Sequence, residues 1–121
     1  MKDTRKRSGT LADTVAAAYL TDKGVRILQR NFRCRFGEID LIGWDGTAYL
    51  IVEVKFRSSA GQGEPAEAVD FRKQHRICLA FDYFRMKEHL DDYVPVRFDV
   101  IEIDRYQRCH WIRNAFEYHG L

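Results

Sequence analysis

The chain has 121 residues, of which 45% are aliphatic or aromatic and 31% are charged. That length fits one domain and excludes two independent cores of useful size, while the composition excludes a disordered or membrane-embedded chain. The net charge of +2 is too small to identify a polyanion partner, so the placement of charge matters more than its sum.

Lys2, Arg5, Lys6 and Arg7 give residues 1–8 the character of a flexible basic arm, followed by a single domain over 9–121. No apolar stretch of signal-peptide type follows the arm. The longest uncharged apolar run, Val15 to Leu20, falls far short of the ~20 residues needed to span a bilayer. A cytoplasmic protein is expected. Cys34, Cys78 and Cys109 are widely spaced with no CxxC pair, which indicates incidental or buried thiols rather than a disulfide framework or zinc site.

Leu11 to Leu20 (LADTVAAAYL) is built of strong helix formers, with Thr10 or Ser8 to cap it and Lys23-Gly24 to end it. The helix is apolar nearly all round, which makes Asp13 an unusual charge within it. Val25 to Arg33 and Glu38 to Trp44 read as strands, and Asp45-Gly46 is a strong hairpin signal. Ala48 to Phe56 is β-branched and aromatic and apolar on both faces until Glu53 and Lys55, as a central strand would be. Ser58 to Glu64 reads as a polar loop, and Pro65 suits the first turn of a helix over Ala66 to Leu90. Val96 to Ile103 and a short segment around His110 to Arg113 complete the strands. The order predicts an α/β domain with a mixed sheet of about five strands flanked by helices.

A two-residue turn at Asp45-Gly46 sets Trp44 opposite Thr47, Asp40 opposite Ile51 and Glu38 opposite Glu53. Side chains alternate along a strand, so Glu38, Asp40, Glu53 and Lys55 then share one face, with Asp40 diagonal to Glu53. Carboxylates gathered on an apolar sheet repel one another and lose hydration, and a divalent cation compensates directly. Magnesium takes one or two carboxylates and fills its shell with water, carbonyls and phosphate oxygens, which suits Asp40, Glu53 and the Ile51 or Val54 carbonyl. Lys55 would lie beside that ion, able to orient a water or neutralise charge on a phosphate. Taken alone, ExK is common and reads as a simple ion pair on an exposed strand.

The surrounding residues make the pattern specific. GEIDLI at 37–42 and VEVKFR at 52–57 resemble the YraN-like bacterial family of the restriction-endonuclease-like PD-(D/E)xK superfamily. The resemblance extends to GTLADTVAAAYL at 9–20, NFRCRF at 31–36, RFDV at 97–100 and NAF at 114–116. It implies a restriction-endonuclease-like fold, with Asp40, Glu53 and Lys55 at the metal-binding and catalytic positions and Mg2+ or Mn2+ as cofactor. It also implies kinship with archaeal-type Holliday-junction resolvases, which add a first-helix glutamate to the site. That position falls on Asp13, a shorter acid.

Other residues carry two readings each. Glu38 is either a further acid near the metal or a partner for Arg33 or Arg35. Lys73 interrupts an apolar helical stripe, so it either snorkels to the surface or reaches a bound phosphate. Arg57 is a phosphate contact or a solvated edge arginine, and Arg35 belongs to the same basic set available to nucleic acid. Asp99 is expected to pair with a neighbouring arginine, and the four histidines show no ligand spacing.

The function expected is a metal-dependent endonuclease acting on DNA, with branched or junction DNA as a candidate substrate. The alternative is a non-catalytic nucleic-acid-binding module that keeps the nuclease fold. A hydrolase of RNA or of small phosphorylated substrates ranks below both, because no phosphate-cradling Gly-rich loop is present. A substrate with two scissile strands would favour a homodimer.

Overall fold

The computed structural model describes residues 4–57 and 69–120, with the backbone alone for 4–10. The elements in chain order are α1 (Thr4–Asp22), β1 (Arg26–Cys34), β2 (Gly37–Trp44), β3 (Tyr49–Phe56), α2 (Phe71–Lys87), β4 (Val96–Ile103) and β5 (Cys109–Phe116). The five strands form one mixed sheet in the order β1-β2-β3-β4-β5. β3 and β4 are parallel, with α2 in the connection between them, and the remaining pairs are antiparallel. This single α/β domain is the architecture expected from the sequence and is consistent with a restriction-endonuclease-like fold.

Each face of the sheet carries one apolar core. On one side Ala16 and Leu20 of α1 pack on Leu41, Leu50, Val52, Ile101 and Ile103. On the other, Ile77, Ala80, Phe81 and Phe84 of α2 pack on Ile42, Ile51, Phe98 and Val100. Burying a side chain of this size contributes about 1.5–3 kcal/mol. β3 supplies both cores from alternate positions, as a central strand must.

Several boundaries differ from those read in the sequence, most of them by a residue or two, while β5 extends over Cys109–Phe116 rather than 110–113. α1 begins at Thr4, so the arm expected over 1–8 is helical from Thr4 onward; residues 1–3 lie outside the described residues. α2 begins at Phe71, where the Asp70 carboxylate accepts the Lys73 N–H at 2.8 Å and caps the helix. The expected loop at 58–64 and the Pro65 helix start lie outside the described residues. α2 ends at Lys87 rather than Leu90, and the chain then passes through His89 at φ 58.

The register of β2 on β3 is also corrected. Trp44 pairs with Tyr49 and Ile42 with Ile51, two residues from the expected pairing. The turn is longer because Asp45 Oδ1 accepts the Thr47 and Ala48 N–H groups and the Thr47 hydroxyl, at 2.8–2.9 Å, which organises a four-residue connection. A shift of two keeps the paired residues Leu41 to Trp44 on their expected faces, but strict alternation breaks before them, since Ile39 shares the α2-side core with Ile42 while Leu41 lies in the other core.

Candidate functional site

β2 and β3 pair only from Leu41↔Val52 to Trp44↔Tyr49. Before Leu41, β2 remains on β1, and beyond Val52, β3 remains on β4. The two central strands therefore part at Asp40 and Glu53, opening a cleft between them that both helices can reach. Asp13 from α1, Glu38 and Asp40 from β2, Glu53, Val54 and Lys55 from β3, and Lys73 and Arg76 from α2 line it. The cleft has a volume of about 880 Å³, ample for a phosphodiester and hydrated ion.

At the fork the Asp40 carboxylate accepts the Val54 N–H at 2.8 Å, replacing a ladder bond with a side-chain bond. Glu53 is 6% and Asp13 3% exposed, so these acids have lost most of their water. Burial first, and the neighbouring Glu53 charge second, push the Asp40 carboxyl up to about 8; the Val54 N–H opposes the shift. Burial likewise pushes Asp13 up to about 6, against the favourable charge of Arg30 and with the help of Glu53 and Glu38. A positive charge beside these acids would favour their ionised forms.

Part of that charge is in the protein. The Lys73 ammonium is ion-paired with Glu53 Oε2. Burial works against the charge on Lys73, but the Glu53, Asp40 and Glu38 carboxylates outweigh it and hold the ammonium above its ordinary range. Among the described residues, no three His, Cys, Asp or Glu side chains gather as a metal-binding set. Asp40 and Glu53 nevertheless match the one or two carboxylate oxygens that magnesium takes from protein, and their chemistry fits a hard divalent cation.

The remaining candidates separate. Lys55 lines the cleft two residues beyond Glu53. Glu38 pairs with Arg33 at 3.5 Å, the second of its two readings, while still facing the cleft. Arg57 is engaged with the buried Glu102 at 3.2 Å, and Arg35 is exposed with its guanidinium 4.9 Å from the Phe36 ring centre; neither lines the cleft. Asn31 and Arg76 line it without having been singled out for that role. The three-residue spacing of Lys73 and Arg76 on one helix was the available signal for Arg76. Asn31 sits at φ 54 in β1, a local irregularity that side-chain pattern does not announce.

A model of the uncharacterised protein family UPF0102 matches residues 12–103. The chain belongs to this family. It is 38% identical over 116 residues to a UPF0102 protein of Lachnoclostridium phytofermentans, covering 96% of this chain and 98% of that protein. It is 40% identical over 116 residues to one from Pseudomonas putida, covering 92% and 93%. It is 42% identical over 102 residues to one from Caldanaerobacter subterraneus, covering 84% and 83%. The UPF0102 match contains every described residue that lines the cleft, from Asp13 to Ile77. No described helix is long and apolar enough to cross a membrane.

Proposed function

We propose that this UPF0102 chain is a divalent-metal-dependent endonuclease of the PD-(D/E)xK type, hydrolysing phosphodiester bonds in DNA with Mg2+ or Mn2+. The observation that carries this reading is the parting of β2 and β3 at two adjoining, desolvated carboxylates, Asp40 and Glu53, with Lys55 on the same strand as Glu53.

In this reading Asp40 and Glu53 hold the ion, and the Val54 N–H fixes the Asp40 carboxylate in place. A bound divalent ion would supply a hydroxide-like water and charge for the phosphate oxygens. Lys55 orients the attacking water or balances charge that develops on the phosphate. Asp13 adds negative field from the α1 side. Arg33 and Arg76, on the cleft wall, position the nucleic-acid backbone without reading sequence.

The test is cleavage of labelled linear, flapped and four-way DNA with magnesium or manganese, beside Asp40→Asn and Lys55→Ala. Metal-dependent cutting that disappears in both variants supports the proposal. DNA binding without cutting supports instead a non-catalytic nucleic-acid-binding module. One observation favours that second reading: the Lys73–Glu53 ion pair relieves part of the carboxylate repulsion with no metal.

A further inference from the structure

Lys73 stands in the first turn of α2, placed there by the Asp70 cap on its own N–H. Its ammonium is bonded to Glu53 Oε2. The two ends of this pair differ in environment: the Glu53 side chain is 7% exposed and that of Lys73 39%. A buried carboxylate thus depends on a cation at the end of a flexible stem that reaches solvent. The same carboxylate is one of the two proposed to hold a divalent ion, and one oxygen cannot serve a tethered ammonium and a metal equally well.

Resting on the metal-nuclease reading, we propose that Lys73 is a built-in competitor for the metal and releases Glu53 when a phosphate of the nucleic acid arrives to take the ammonium. An ammonium with three rotatable donors suits both partners. The phosphate also brings negative charge to a cleft wall that already carries Arg33 and Arg76, so the ammonium has a new counter-ion where it moves. Metal and nucleic acid therefore load together. Linkage makes the effect reciprocal: whatever factor DNA adds to metal affinity, metal adds to DNA affinity. Lys73 is a positioning residue here, acting through Glu53.

The experiment measures Mn2+ affinity from the electron-spin-resonance signal of unbound Mn2+, with and without a four-way DNA junction made uncleavable by phosphorothioate linkages. In the wild-type protein DNA is expected to tighten Mn2+ by about tenfold, within the usual range of coupling. Lys73→Met is expected to bind Mn2+ tightly without DNA and to gain nothing more from it, and Lys73→Arg to retain the coupling. Lys73→Gln carries the same expectation as Lys73→Met should the latter not fold. Unchanged Mn2+ affinity in Lys73→Met, or undiminished coupling to DNA, overturns the proposal while leaving the nuclease reading intact. Absence of Mn2+ binding in every protein, with or without DNA, overturns both.

Discussion

The Asp40 carboxylate accepts the Val54 N–H at 2.8 Å just where the β2–β3 ladder ends at Leu41↔Val52. The same oxygen pair is thus both a structural cap on the fork and the most perturbed acid in the cleft. Asp40→Asn separates the two roles, because an amide oxygen still accepts that N–H while the charge is gone.

The consequence is a pH dependence. The Asp40 carboxyl is raised from 3.8 to about 8 by burial and by Glu53, so folding takes up a proton. Its stabilising contribution is present below the unfolded value and is lost as the pH climbs through about 8. Asp13, raised to about 6, adds a loss of the same sign over the lower part of that window. Metal-free wild-type protein is expected to lose stability relative to Asp40→Asn between pH 5 and 8, by at least about 1 kcal/mol. Urea unfolding in EDTA across that range checks it; parallel curves for the two proteins would refute the assignment. Saturating Mg2+ is expected to remove the difference in slope by holding the carboxylates ionised.

Gly37 gives a second prediction. It opens the GEIDLI strand at φ +156, and a Cβ there would meet the Arg76 Cβ and carbonyl oxygen at 3.3 Å. The glycine therefore lets β2 approach α2 beside the cleft, close to Lys73. Gly37→Ala is expected to destabilise the fold by about 1 kcal/mol through backbone strain and crowding. A thermal midpoint equal to that of the wild type would show that α2 gives way without cost.

The legible part of this structure was what periodicity controls. Alternation identified β3 as central and brought Glu38, Asp40, Glu53 and Lys55 into one expected group; all four line the cleft, although β2 departs from strict alternation, with Ile39 and Ile42 both in the α2-side core and Leu41 in the other. The two-residue error in register came from reading Asp45-Gly46 as a complete turn, when the Asp45 carboxylate gathers Thr47 and Ala48 into a longer one. The fork was not legible. It depends on β2 and β3 choosing their outer neighbours beyond Leu41↔Val52, a non-local balance that no local spacing records. The ion pair of Arg57 with Glu102 was illegible for a related reason, since that partner comes from a strand 45 residues later in the chain.

Asp99 marks a structural acid to set beside the proposed metal-binding ones. It is fully buried and accepts the Arg97 guanidinium at 2.9–3.2 Å, the Trp111 indole N–H at 2.9 Å and the Asn114 N–H at 2.8 Å. The expected arginine pairing is present, and the carboxylate also ties β4 to β5. Asp99→Ala leaves the Trp111 and Asn114 N–H groups without their acceptor and the Arg97 guanidinium with only Asp45, 3.5 Å away, and is expected to cost about 3 kcal/mol. Denaturant unfolding followed by tryptophan fluorescence measures it. A loss below 1 kcal/mol would mean that water replaces the carboxylate.

Lys55 separates binding from chemistry. It lies on the cleft wall two residues past Glu53, so its ammonium adds positive charge beside the proposed ion rather than a ligand to it. Removing it cannot take an oxygen from the metal, and by relieving repulsion it leaves metal binding intact or slightly tighter. Its proposed work is confined to the transition state, where charge builds on the phosphate. Loss of one such preorganised charge typically lowers turnover by about 10²- to 10³-fold. Single-turnover cleavage and Mn2+ affinity, measured together for Lys55→Ala, are therefore expected to diverge: cleavage falls by that factor while Mn2+ affinity does not fall. A parallel loss of both would place Lys55 in the framework of the site instead of its chemistry, and unaltered cleavage would remove it from the mechanism.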